Sequence, residues 1–453
     1  MLHLKLDKMD NILILGSGIS GMGACKLAIK NNLNVRVSDN NKISEKNKNI
    51  LNEFDVYWEE NNHSFSNLDW VDYIIKSPGI SNEIEIIREA NSRQIPIISE
   101  IEFAYQFIQN SKIIAVTGSN GKTTTSKLIY SILSDAGFDV ELCGNSFTSS
   151  FSEKLSYKNS KYYVLELSSF QLENIDKFQP NISILLNFSP DHLDRYNFDE
   201  NKYYNTKMRI QSNQKNNNSF IYFSDDKNIM KRLDQCSDVK LFPFGTSNSS
   251  GNNVAWIDKN QLIINHKNLF TMVLHEMALQ GRHNVYNSMA AGIAAKILGV
   301  NNDVLRQCLS NFKGVEHRLE PVLKLDEKLY INDSKATNCN SVFFALESVK
   351  SPVIWICGGV DKGNDYSLLD DLVKEKVDCI LALGNSFEAI NNHFEKICPK
   401  IFKVESMQDA VLLSHQISNP GHTILLSPAC SSFDMFKDYQ ERGRIFKECV
   451  YNL

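Results

Sequence analysis

The chain has 453 residues, enough for about three domains at roughly 150 residues each. A composition of 42% hydrophobic and 22% charged residues with only 10 prolines excludes a disordered, collagen-like or small disulfide-stapled protein. The formal charge of −5, from 48 basic and 53 acidic residues, argues against a broad electrostatic footprint for nucleic acid or an anionic membrane, so any anionic ligand must be held locally.

Short apolar runs alternate with helical stretches along the whole chain, at Asn11–Leu15, Val35–Val37, Tyr73–Ile75, Ile113–Val116, Tyr162–Leu167, Ile182–Leu186, Val353–Cys357, Cys379–Leu383 and Thr423–Leu426. This rhythm predicts an α/β protein built on parallel sheets, with ligand sites where the strands stop at glycine or polar clusters. The Asn- and Lys-rich stretches Asn40–Asn49 and Asn213–Ser219 read as solvated loops. The apolar stretch Ile12–Leu15 is too short for a signal-peptide core, and no apolar run reaches the roughly 18 residues of a membrane span. Ten cysteines without a C-x-x-C pair fit reduced, packed thiols in a cytoplasmic protein.

Two loops carry nucleotide-type chemistry. Gly16-Ser17-Gly18-Ile19-Ser20-Gly21 follows the first strand, and Asp39 follows the next one. Such a loop brings backbone N–H groups and a helix N-terminus to a pyrophosphate, with the acid available to a ribose or base; a tight structural turn is the other reading. Taken alone, the loop suggests NAD and a nicotinamide dehydrogenase. The second loop, Thr117-Gly118-Ser119-Asn120-Gly121-Lys122-Thr123-Thr124, is the stronger signal. Its glycines let amides wrap phosphates, Lys122 offers a point charge, and a threonine hydroxyl can join a Mg²⁺ shell. It has two rather than four residues between its glycines, which disfavours a generic GTPase or motor.

Further strings follow. Leu165 to Leu172 reads LELSSFQL, Asn187 to Arg195 reads NFSPDHLDR, and Gly281 to Ala291 reads GRHNVYNSMAA. Glu316 to Glu320 reads EHRLE, Asn332 to Asn338 reads NDSKATN, and Leu426 to Asp434 reads LSPACSSFD. Together with the TG-x-NGKT loop they resemble, over essentially the whole chain, the Mur ligases of peptidoglycan synthesis, and most closely the members that add D-glutamate. Another Mur-type or folylpolyglutamate-type ligase shares the ATP loop but fits LELSSFQL and SPACSSFD less well.

The resemblance implies three domains: a Rossmann-like UDP-binding domain (1–103), a central P-loop ATPase-type domain (104–314) and a C-terminal Rossmann-like domain (315–453). It implies a cytoplasmic, monomeric enzyme of cell-wall biogenesis, and so of cell shape, division and the cell cycle. Its substrates would be ATP, UDP-N-acetylmuramoyl-L-alanine and D-glutamate, without nucleic-acid or membrane partners. The alanine carboxylate would become an acyl phosphate that the amine of D-glutamate attacks.

The same resemblance assigns residues. Gly118, Ser119, Asn120, Gly121, Lys122, Thr123 and Thr124 would hold the phosphates. Asn284 and Asn287 would meet adenine, Arg318 the γ-phosphate and Asp333 the ribose. Thr123, Glu166, His192 and Lys207, the last as a CO₂-derived carbamate, would hold two Mg²⁺ ions, and His317 would lie near the reacting groups. Read without the resemblance, Glu166 could be a solvated strand-end acid, His192 a turn residue and Lys207 a solvated helical lysine. Ile19, Ser20, Asp39, Asn40, Ser77, Gly79 and Asn145 would bind the UDP substrate, and Lys335, Thr337, Lys362, Ser432 and Tyr439 the D-glutamate. Tyr439 stands where the family often has phenylalanine, and Asn40-Asn41 where better-known members carry Thr-Arg.

Overall fold

The computed structural model describes residues 11–235, 238–249, 251–350, 352–398 and 400–453. Strands β1 (Asn11–Leu15), β2 (Asn34–Asp39), β3 (Tyr57–Glu60), β4 (Tyr73–Lys76) and β5 (Ile97–Ser99) form a parallel sheet in the order β3-β2-β1-β4-β5. A second sheet holds β6 (Lys112–Thr117), β7 (Val140–Gly144), β8 (Tyr162–Glu166), β9 (Ile182–Leu185), β10 (Ser219–Phe223), β11 (Lys240–Phe244), β12 (Ala255–Asp258), β13 (Gln261–His266) and β14 (Asn268–Val273). Its order is β14-β13-β12-β11-β10-β9-β6-β8-β7, parallel from β7 to β12, with β13 and β14 folded back as antiparallel arms. The third contains β15 (Glu320–Leu325), β16 (Lys328–Asn332), β17 (Val353–Gly358), β18 (Val377–Leu383), β19 (Ile401–Val404) and β20 (Thr423–Leu426). Here the order is β15-β16-β20-β17-β18-β19, with β15 alone antiparallel.

The described residues fall into two compact units. One takes the described part of Met1–Phe188 with Arg195–Val273 and Tyr286–Leu309, and so carries the first two sheets; the other takes Ser189–Asp194, Leu274–Val285 and the described part of Ser310–Leu453. In the first unit one apolar core runs from Ile12 and Ile14 through Phe103 and Ile113 to Leu165 and Phe178, and another, with Leu13, Leu15 and Ile74, lies on the opposite face of the first sheet. The helix Glu100–Tyr105, capped by Ser99, lies in the former core, and the expected boundary at residue 103 falls within it. It is pinned by Glu102, whose carboxylate accepts the backbone N–H groups of Asp176, Lys177 and Phe178 at 2.8–3.0 Å. Strands buried on both faces, such as β1, β4, β17 and β20, read as unbroken apolar runs because helices cover each side of the sheet. No described helix is long and apolar enough to cross a membrane.

The Asn-rich stretches are more ordered than expected. Ser44 caps a helix over Glu45–Glu53 by accepting from the Asn47 N–H. Asn218 is buried and accepts from Gln179 and from the Lys215 N–H. The cysteines among the described residues are free and mostly buried, while Cys236 lies outside them.

Glu100 is fully buried and accepts the Ser152 N–H at 2.5 Å. Burial pushes its carboxyl up to about 7, against the opposing hydrogen bonds from Ser152 and Ser150. A folded pKa above the unfolded value means that the stability it contributes is full below about pH 4.5 and is lost as pH rises through about 7. Glu100→Gln keeps the acceptor oxygen without the charge. Its melting temperature is therefore expected to exceed wild type at pH 8 and to approach it at pH 5, in thermal denaturation at both values; equal gaps would contradict a titrating Glu100.

Candidate active site

In the first sheet the glycine loop leaves β1, and the Ser77-Pro78-Gly79 loop leaves β4, its hydrogen-bonded neighbour. Strand order reverses at β1, the position where open α/β sheets bind ligands. Ile19 and Gly79 are exposed, Ser20 and Ser77 half-buried, and Asn40, which directly follows β2, exposed. Asp39 braces the glycine loop: one oxygen accepts both the N–H and hydroxyl of Ser17, at 2.6 and 2.7 Å, and the other accepts the Asn41 N–H. Burial works against its charge, but these hydrogen bonds hold its carboxyl below the ordinary value. Asn47 adds a bond to the Ser17 carbonyl at 2.8 Å. A ligand that reached Asp39 would therefore share a carboxylate that already holds the loop.

In the central sheet the P-loop leaves β6 and leads into the helix Lys122–Asp135. Gly121 adopts φ +84°, and a Cβ there would lie 2.3 Å from Oδ1 of Asn287, so glycine is required on two counts. Asn187 fixes the loop by accepting the Asn120 N–H at 2.9 Å and donating to the Asn120 carbonyl at 3.1 Å. Thr125 donates to Asn287 at 3.3 Å, which places Asn287 against the first turn of the phosphate-loop helix. Thr123 and Thr124 are buried in that turn.

Two amines converge on the same loop. Lys122 donates to the carbonyls of Gly118 and Ser119, both at 2.8 Å, and Lys207 donates to the Gly118 carbonyl at 3.0 Å. Lys207 is 2% exposed and its amine lies 4.6 Å from the ring centre of Tyr203. Glu166 is fully buried at the end of β8, in register with Val116 at the mouth of the P-loop. Its Oε1 accepts from Ser146 at 2.7 Å and Asn145 at 3.2 Å. Gly144 makes this clasp possible: it adopts φ +114°, and a Cβ there would collide with the Glu166 carbonyl.

The second unit carries the remaining positions. His192 adopts φ +52°, with Nε2 3.6 Å from Asp191. Asn284 donates to the Gln280 carbonyl at 2.8 Å. Arg318 is half-buried. Asp333 is buried, accepting the Leu319 N–H at 3.1 Å and the Ser427 hydroxyl at 2.9 Å. Burial raises its carboxyl to about 7 against the Ser427 bond and the nearby Arg318 charge.

Strings 332–338, 358–363 and 427–434 leave the adjacent strands β16, β17 and β20 together. Lys335 lies 5.0 Å over the Tyr439 ring, and His317, buried and hydrogen-bonded to Asn332, meets the same ring edge-on at 6.1 Å. Burial lowers the His317 pKa against the neighbouring Glu316 and Glu320. Thr337 is half-buried, Ser432 buried and Lys362 exposed. Cys430 packs against Tyr366 and Asn364, as a buried small side chain would.

Sequence reasoning passed over the residue that ties these strings together. Arg442, 1% exposed on the helix Tyr439–Tyr451, donates to the Ser334 hydroxyl and to the carbonyls of Ser334, Gly358 and Cys430 at 2.8–3.4 Å. One arginine in a helix of mixed charge gives no pattern from which this could be read. Asn187 stood inside a recognisable string without an assigned role.

A P-loop on one sheet, a glycine loop on another and a polar cluster on a third are the arrangement of a nucleotide-using α/β protein. Residues 116–295 match the Mur ligase middle domain, and residues 11–86 the MurD N-terminal domain. A UDP-N-acetylmuramoylalanine--D-glutamate ligase from Christiangramia forsetii is 44% identical over 98% of this chain and 99% of its own. One of the same name from Porphyromonas gingivalis is 44% identical over the full length of both. Among solved structures, MurC from Thermotoga maritima aligns over 98% of this chain and 99% of its own at TM-score 0.61 and 19% identity. MurF from Acinetobacter baumannii aligns over 96% and 93% at TM-score 0.62 and 16% identity. The chain belongs to the Mur ligase family, and within it to the UDP-N-acetylmuramoylalanine--D-glutamate ligases.

Proposed function

We propose that this protein joins D-glutamate to UDP-N-acetylmuramoyl-L-alanine at the expense of ATP, forming ADP and phosphate in the cytoplasmic synthesis of peptidoglycan precursors, and that it does so as a monomer. The observation that carries this reading is the register of β6 and β8, which sets buried Glu166 beside the mouth of the P-loop, within a chain 44% identical to relatives of that name. The expected domain limits, 1–103, 104–314 and 315–453, belong to the same reading.

A carboxylate is a poor electrophile because its leaving group would be oxide. Phosphorylating the alanine carboxylate supplies a good leaving group and demands cations where charge builds up. The P-loop amides of Gly118 to Thr124 and the Lys122 amine are suited to hold the β- and γ-phosphates. Arg318 would add charge at the γ-phosphate, Asn284 and Asn287 would face adenine, and Asp333 the ribose. Ile19, Ser20, Asp39, Asn40, Ser77, Gly79 and Asn145 would seat the UDP substrate. Lys335 and Lys362 would neutralise the carboxylates of D-glutamate, with Thr337 and Ser432 as hydroxyl donors and Tyr439 as a wall.

The donors fit Mg²⁺: the Thr123 hydroxyl, the Glu166 carboxylate, the His192 imidazole and Lys207 as a carbamate would hold two ions. Bound there, Mg²⁺ neutralises charge on the phosphoryl group in transfer. Two amines on one carbonyl support the carbamate, because CO₂ addition turns Lys207 from a second cation beside Lys122 into its anionic partner. Lys207→Ala is expected to lose about a hundredfold in turnover, without recovery in bicarbonate, while CO₂-depleted wild type regains activity when bicarbonate is added. Full activity of Lys207→Ala would overturn the role.

The acyl-phosphate route is tested with substrate carrying ¹⁸O in its alanine carboxylate. One labelled oxygen is expected in each phosphate released; unlabelled phosphate would contradict the proposal.

A further inference from the structure

The Ser77-Pro78-Gly79 loop is held from behind by charges that its own sequence does not announce. Lys76, the last residue of β4, is 2% exposed, and its amine donates to the Ile80 carbonyl at 2.8 Å, closing the loop on itself. Arg195 donates to the Gly79 carbonyl at 3.2 Å and the Ile80 carbonyl at 2.7 Å. Both cations meet one carboxylate: Glu173 Oε2 lies 3.5 Å from the Lys76 amine and 3.1 Å from Arg195. Asn82 donates to the same oxygen at 3.2 Å, and Tyr196 donates to Oε1 at 3.0 Å. The Glu173 side chain is 10% exposed, so its single negative charge offsets one of the two positive charges where water screens poorly.

Glu173 and Arg195 both tie the loop to the helix that follows β8. Glu173 directly follows the helix Ser169–Leu172, which starts three residues after Glu166. The Arg195 guanidinium stacks on the Phe170 ring of that helix at 4.4 Å. The strand end bearing Glu166 and the loop bearing Ser77 and Gly79 are therefore joined through Glu173 and Arg195 in one buried ionic cluster.

We propose that Glu173, with Lys76 and Arg195, is a positioning residue that sets the Ser77–Gly79 loop in its substrate-binding form and registers it to the strand end carrying Glu166. It touches no reacting atom. The proposal rests on the reading that this loop binds the UDP-linked substrate, and adds that the loop's shape is imposed by charges outside it. A loop whose carbonyls are pinned by Arg195 and Lys76 is preorganised, so loss of the carboxylate should weaken binding of the substrate it frames while leaving the phosphate loop intact.

The test is steady-state kinetics of Glu173→Gln and Arg195→Lys with each substrate varied in turn, beside direct calorimetric binding of UDP-N-acetylmuramoyl-L-alanine. The expected result is a rise of about tenfold or more in KM and Kd for that substrate, with KM for ATP within about twofold of wild type. Unchanged KM for the UDP-linked substrate would overturn the proposal, as would a uniform rise in all KM values, which marks general loosening. If Glu173→Gln does not fold, Arg195→Lys, which keeps the cation but loses the paired geometry on two carbonyls, is read against the same outcomes. Failure of wild type to bind UDP-N-acetylmuramoyl-L-alanine would instead overturn the underlying reading.

Discussion

Lys122→Ala is expected to lower turnover by about a thousandfold or more, with the fold retained. The amine now rests on the carbonyls of Gly118 and Ser119 and is only half-buried, so its removal exposes acceptors that water can reach. On the proposed reading what is lost is the point charge on the transferring phosphoryl group, for which Lys207, read as a carbamate, does not substitute. Lys122→Arg is expected to fail nearly as badly, because a planar guanidinium does not fit a cradle shaped around a compact ammonium. Phosphate release, with circular dichroism to check the fold, measures both. A variant within tenfold of wild type would mean that the phosphates are not held by this loop.

Arg442→Met is expected to destabilise the second unit by about 3 kcal/mol or more and to raise KM for D-glutamate. Burial lowers the Arg442 pKa to about 10, still high enough to keep it charged at neutral pH. Its donors satisfy acceptors at Ser334, Gly358 and Cys430, one in each of the three strings. Methionine fills the volume but leaves these buried acceptors without their partner. Arg442→Lys restores the charge but not the fork, so it is expected to recover part of the stability and little of the D-glutamate affinity. Denaturant unfolding and KM for each substrate check this; a stable variant with normal D-glutamate KM would remove Arg442 from the account.

What the sequence made legible follows from how each element is buried. β1, β4, β17 and β20 stood out because both faces are covered and every residue is apolar or nearly so. β3 did not, since Tyr57–Glu60 is a half-exposed edge strand with two glutamates. β15 escaped for the same reason, with Pro321 and Lys324 exposed along the edge of its sheet. The antiparallel arms β13 and β14 alternate buried and exposed positions and carry no motif.

The site divides in a similar way. Lys122, Glu166 and Asp333 sit in contiguous strings that resemble the family's, and such strings can be read. Asn187, Glu173 and Arg442 act on loops distant in sequence, and their partners emerge only when the chain is folded. Asp39 shows that a legible position can carry an illegible contact: its spacing from the glycine loop suggested a ligand contact, and folding shows in addition that its oxygens hold Ser17 and Asn41.

The most direct test of the central claim is ATP-dependent phosphate release with UDP-N-acetylmuramoyl-L-alanine present and D-glutamate, L-glutamate, L-alanine or meso-diaminopimelate added in parallel, each reaction checked by product mass. The account predicts release with D-glutamate alone, together with the amide product. Release with a different amino acid would contradict the assignment of Lys335, Thr337, Lys362, Ser432 and Tyr439, and no amino-acid-dependent release would contradict the ligase reading itself.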